Sequence, residues 1–139
     1  LGALGYEQSI PEPSVDPADW HRRRKESLWC GPHLAVDLHS RVADSRYLIP
    51  RITATNRSEL IEIAPGMSLP TLRLPEQVAY LAVHGASSAW FRLKWLADFA
   101  AILHPLPAQG VANLRTQAVQ LGAGRAIDQA LLLAHRYFG

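Results

Sequence analysis

The spacing of apolar residues changes at Leu74-Pro75, and this constrains the fold of the 139-residue chain more than any other feature. Before it, apolar and polar residues alternate in short runs. After it, apolar residues recur every three or four positions. The first spacing belongs to strands and the second to helices. The chain therefore reads as α+β, with antiparallel hairpins in a β-rich half, 1–74, and a bundle of about four helices in 75–139.

The clearest strand is His33 to Val42. Leu34, Val36, Leu38 and Val42 share one face, and Ala35, Asp37, His39 and Arg41 share the other. Lys25 to Cys30 is its predicted partner across a Gly31-Pro32 turn, with Trp29 meeting Val36 or Leu38. A carboxylate in mid-strand runs against β-propensity. Either Asp37 faces solvent, or it is a metal ligand or general base on a sheet that lines a cleft.

Leu1 to Leu4 reads as a last helical turn stopped by Gly5, and Tyr6 to Ile10 as a short strand. Pro11, Pro13 and Pro17 mark an irregular connector. Ser45 to Ser58 is predicted helical from Tyr47, Leu48, Ile52 and Ala54, against the presence of Pro50. Leu60 to Ala64 and Leu69 to Leu74 form a second hairpin about Pro65-Gly66.

Pro75-Glu76 is a helix start, because proline suits the first helical position and an acid suits the positive end of the helix dipole. This helix runs to about Ala86, with Val78, Leu81, Ala82 and Gly85 inward and Tyr80 beside His84. Ala89 to His104 is apolar nearly all round and is expected at the centre, starting at Trp90 and Arg92 and carrying Leu93, Leu96, Ala97, Ala100 and Leu103 on one stripe. Val111 to Leu121, closed by Gly122, buries Leu114, Ala118 and Leu121. Arg125 to Phe138 buries Ile127, Leu131, Ala134 and Phe138.

Composition excludes several classes. Hydrophobic residues make up 48% and charged residues 19%, which suits a packed core and not a disordered chain. No apolar run approaches the roughly 20 residues that span a bilayer, so no membrane partner is expected. The single cysteine, Cys30, cannot form an internal disulfide or a Cys-rich zinc site, which points to a reducing, cytoplasmic setting. A net charge of +2 falls short of a nucleic-acid footprint. The dense cluster His21 to Lys25 reads as a solvated turn or as a phosphate site. No glycine-rich phosphate loop and no zinc-protease motif occurs.

Two stretches carry a resemblance. The first is Ala35-Val36-Asp37-Leu38-His39. The second is Leu74-Pro75-Glu76 followed by Leu81-Ala82-Val83-His84-Gly85-Ala86 and Arg92-Leu93-Lys94-Trp95-Leu96-Ala97-Asp98. In order and separation the chain resembles the uncharacterised bacterial nucleotidyltransferase family of the polymerase-beta-type superfamily, from about Gly5 to Gly139. It departs at Ser40, where that family usually has tryptophan, and near Ser88, where it has a second histidine.

The resemblance implies a domain that transfers a nucleoside monophosphate from an NTP to a hydroxyl acceptor with Mg²⁺. Asp37 would match the third acid of the site, as metal ligand and proton acceptor. His39 would lie on the substrate side; His84, Arg92 and Lys94 would either join it there, with Trp90 and Trp95 packing, or would only hold the helix pair together, which is the reading taken for Trp95 and Asp98 and is left open for His84. The glycine-serine turn and the Asp-x-Asp strand that precede that acid in the superfamily have no counterpart before Asp37, since Asp16 and Asp19 lie three apart in the proline-rich connector. The chain thus reads as a C-terminal portion, one domain cut within a longer one, and inactive alone. The rival readings are a non-catalytic binding module of the same fold, and, on the basic cluster alone, an RNA-binding domain.

Overall fold

The computed structural model describes residues 1–9, 16, 19–20, 23–53 and 58–139. The chain packs as two compact units, 1–44 and 45–139.

The first unit is a three-stranded antiparallel sheet in the order β1 (Glu7–Ser9), β2 (Glu26–Cys30), β3 (Ala35–His39). A 3-10 turn, Gly2–Leu4, precedes it and ends at Gly5, whose φ of 77° is open to glycine at little cost. The hairpin between β2 and β3 forms as its alternation predicts. Trp29 stands opposite Val36, Leu28 opposite Asp37 and Glu26 opposite His39. The strand is shorter than the predicted 33–42, because Leu34 already belongs to the turn, its carbonyl accepting from the Gly31 amide at 3.0 Å. One face carries Ser27, Trp29, Val36 and Leu38. Ser27 is buried, and its Oγ accepts from Trp29 Nε1 at 3.1 Å. Leu38 remains 48% exposed, so the predicted aliphatic face is covered only in part.

The second unit opens with turns and not with the predicted helix over 45–58, of which 54–57 lie outside the described residues. Ile49 takes a φ of 42°. Proline at position 50 clashes with an α-helical residue before it, which turns the chain out of helix there. Ile49 and Ile52 are buried and anchor the segment, and Pro50 lies against the backbone of Gly122. Next comes the hairpin of β4 (Ser58–Ala64) and β5 (Met67–Leu72), with an irregularity between Glu62 and Ala64. The Gln77 side-chain Nε2 donates to Thr71 Oγ1 and the Leu72 carbonyl, joining the end of β5 to the helix that follows.

Four helices cover the rest: α1 (Leu74–Ser87), α2 (Leu93–Leu103), α3 (Ala108–Leu121) and α4 (Gly124–Phe138). Proline in the first turn of α1 and the left-handed Gly122 after α3 act as the sequence predicts. The core holds Val78, Ala79, Ala82 and Val83 of α1, Leu96 and Phe99 of α2, Leu114 and Ala118 of α3, and Ile127, Ala130 and Ala134 of α4.

Three expectations fail here. The helix predicted from Ala89 begins only at Leu93, since Ala89 and Trp90 take φ values of 49° and 54°. The Trp90 amide donates to the Gly85 carbonyl at 2.8 Å and closes α1 instead. Nor is α2 the central helix. α1 and α4 each pack on all three others, because alanines and Gly85 let their axes come close. Phe138 and Leu93, predicted inward, are exposed at helix ends where no neighbouring turn covers them.

Candidate functional site

The register of the first sheet decides which side chains share its second face. Residues directly opposite in an antiparallel pair point the same way. Asp37 and His39 of β3 therefore lie on one side with Glu26, Leu28 and Cys30 of β2 and with Glu7 and Ser9 of β1, and all of these are exposed. On this open face His39 Nε2 lies 3.1 Å from Asp37 Oδ2 and 3.6 Å from Glu26 Oε2. One ligand atom from each of the three side chains falls within 4.8 Å of the others. Among the described residues, no lysine or arginine pairs with Glu26 or Asp37, while Lys25 pairs with Asp44 at 3.3 Å.

Asp37 thus faces solvent, on an open strand face beside Glu26 and His39, whose side chains are of types that could hold a metal ion. Glu26 is the member that reading the sequence missed. The signal was present, because a hairpin about Gly31-Pro32 that sets Trp29 against Val36 must also set position 26 against 39. The residues meet the general demand of Mg²⁺, which binds through one or two carboxylates and keeps waters or phosphates in its other positions. Glu26 and Asp37 would hold it.

The remaining candidates lie in the second unit. His84 is half-buried on α1. It stacks on Tyr80 at 5.6 Å and meets the Trp95 edge at 4.5 Å. Phe91 packs edge-on against Trp95 at 4.9 Å, and the Arg92 guanidinium lies over both rings, 5.3 Å from Phe91 and 5.6 Å from Trp95. His84 and Arg92 therefore meet through Trp95. Phe91 is 69% exposed, which leaves an aromatic and cationic surface at the start of α2. Lys94 is held instead by Asp98 at 2.6 Å, one turn along the same helix. Both ends of that pair are open to solvent, so it is a surface ion pair worth about 0.3–0.5 kcal/mol. Trp90 packs as predicted, but not within α2. Its ring covers Gly85, where a Cβ would overlap it, and its Nε1 donates to Gln129 of α4 at 3.2 Å.

Of the basic cluster, His21 and Arg22 lie outside the described residues, and the Arg24 guanidinium rests over the Trp20 ring at 5.3 Å. No helix among the described residues is long and apolar enough to cross a membrane.

No curated protein and no solved structure matches the chain. The sequence profile of one family, described as uncharacterised nucleotidyltransferase, matches residues 1–139 from end to end. With the motif about Asp37 on an open strand face and the second motif spread over α1 and α2, the chain belongs to this family of uncharacterised nucleotidyltransferases.

Proposed function

We propose that this protein takes part in transferring a nucleoside monophosphate from an NTP to a hydroxyl acceptor, and that Asp37 is its catalytic carboxylate. The observation that carries this reading is the open face of β3, where Asp37 is exposed, is held by His39 at 3.1 Å, and lies free of any lysine or arginine among the described residues. In such a site Asp37 accepts the proton of the attacking hydroxyl, and His39 fixes the orientation of its carboxylate. Mg²⁺, when bound, would neutralise charge on the triphosphate and polarise the reacting oxygens. Within the second unit, His84 and Arg92 form a surface of their own that suits a nucleotide, since a guanidinium over exposed rings meets both phosphate and a planar base. Lys94 joins them only by leaving Asp98.

The resemblance implies two further acids on an Asp-x-Asp strand, and no such strand precedes Asp37 in this chain. The 139-residue chain alone is therefore expected to bind nucleotide without turning it over. The test is transfer of label from an α-labelled NTP, run on this chain and on the protein as its native host makes it. Turnover by the native form that falls at least about 100-fold in Asp37→Asn supports the reading. Turnover that survives Asp37→Asn sinks it.

A second reading, a non-catalytic interaction module, is favoured by β4 and β5. There Leu60, Ile61, Ile63, Met67 and Leu69 are all about half exposed or more. Exposed apolar strands of this kind are common at interfaces. A native form without turnover and without a glycine-serine turn and Asp-x-Asp strand would favour it.

A further inference from the structure

We propose that the junction of α1 and α2 is a two-state latch. Closed, Trp90 sits on Gly85 and the surface of His84, Trp95 and Arg92 is assembled. Open, α2 runs back toward Ala89 and that surface comes apart. The proposal rests on the nucleotide reading of this surface only for the ligand; the latch itself stands on the backbone.

Two tendencies oppose each other at the junction. The apolar spacing predicts a helix from Ala89 to His104. The chain instead holds Ala89 and Trp90 at φ values of 49° and 54°. Neither is glycine, so each left-handed residue is costly and persists only where its surroundings impose it. Those surroundings centre on Trp90. Its amide donates to the Gly85 carbonyl at 2.8 Å, a bond that ordinarily ends a helix with glycine in the left-handed position, where this chain has Ala89. Its ring covers Gly85, and its Nε1 donates to Gln129 of α4 at 3.2 Å. Without these contacts the local preference for helix prevails.

The same turn sets α2 against α1. His84, next to Gly85, meets the Trp95 ring at 4.5 Å, and the Arg92 guanidinium lies 5.6 Å from the same ring. Opening draws Ala89 to Arg92 into α2 and leaves only Ser88 between the helices. Paired antiparallel helices need a link of about 2–5 residues, so the shortened link pulls His84 off Trp95. A ligand that needs His84 and Arg92 together therefore binds the closed form and draws the latch shut.

The experiment uses the full 139-residue chain, with metal-free ATP as the probe. NMR backbone shifts report whether residues 89–92 are helical, and a titration gives ATP affinity. Trp90→Ala removes the seated ring, and Gly85→Ala unseats it without removing it. In each, 89–92 should move to helical shifts and ATP affinity should fall at least about 10-fold, because affinity scales with the closed fraction. Ala89→Gly relieves the left-handed turn and should keep or raise affinity. Far-UV circular dichroism confirms that each variant is folded. A folded Trp90→Ala or Gly85→Ala chain whose 89–92 shifts stay as in the parent overturns the latch, as does a fall in affinity in Ala89→Gly. Helical shifts with unchanged ATP affinity overturn its hold on the surface. A parent that binds no ATP overturns the nucleotide reading of this surface, and the shifts still decide the latch.

Discussion

The sheet of the first unit and the helices of the second use polar residues in opposite ways. Between β2 and β3 the polar side chains form an open face, with Glu26, Asp37 and His39 all exposed and meeting mainly one another. In the helical unit the candidate residues lean on rings or on a neighbouring charge of the same unit. His84 is held between Tyr80 and Trp95, and Arg92 lies over aromatic rings. The sheet carries its polar cluster at little cost to stability, whereas the helices tie the His84 ring to the fold itself. The same substitution type should therefore act on function in one region and on stability in the other.

The largest effect belongs to the helical core. Phe99 is fully buried, and Phe99→Ala should cost about 3–5 kcal/mol in denaturant unfolding. Loss of less than about 1 kcal/mol would mean that the bundle is loosely packed and the contrast with the sheet is weak. Gly85→Ala comes next, since its methyl group would overlap the Trp90 ring. Overpacking of this kind costs about 1–3 kcal/mol, and Trp90→Ala in the same chain should recover part of the loss by making room.

His84→Ala sharpens the comparison, because it removes two ring contacts worth about 0.5–1.5 kcal/mol each. If His84 also meets substrate, nucleotide affinity measured by titration falls beyond what unfolding explains. Lost stability with unchanged affinity returns it to packing alone. On the sheet, Asp37→Asn should change stability by no more than about 0.5 kcal/mol in thermal unfolding while removing transfer from the native form. A large loss of stability there would break the contrast outright.

The smallest effect is electrostatic. Arg115 of α3 grips Asp128 of α4 through two hydrogen bonds, at 2.6 and 3.1 Å. The hydrogen bonds from Arg115 hold the Asp128 carboxyl below its ordinary value of 3.8, and the same bonds raise Arg115. A carboxyl lowered in the folded state stabilises above its unfolded pKa, and that contribution fades as pH falls through the folded value. Melting curves of Asp128→Asn should therefore differ slightly from the parent at neutral pH and converge with it in acid, below 3.8. Both groups are solvent-exposed, so the difference is small.

Much of the fold was legible because its signals are local. Alternation marked β2 and β3, Pro65-Gly66 marked the second hairpin, Pro75 opened α1 and Gly122 closed α3. Pro50 was legible too, but four apolar residues at helical spacing outweighed it in the sequence reading. In the structure its clash with a helical Ile49 prevails. The break at Ala89 and Trp90 had no comparable local mark, since neither residue favours a left-handed backbone. Trp90 accepts that conformation because its ring gains a seat on Gly85 and a hydrogen bond to Gln129.

The α+β layout, the hairpin that carries Asp37 and the family to which the chain belongs all follow from the residues in order. These rest on period, turn residues and motif order, all readable within a few neighbouring positions. Which helices are central, where α2 begins, and that Glu26 meets Asp37 and His39 on one face became clear only in the folded chain. Each of those depends on which residues meet across separate elements, and such meetings are set by packing and strand register and not by spacing along the chain.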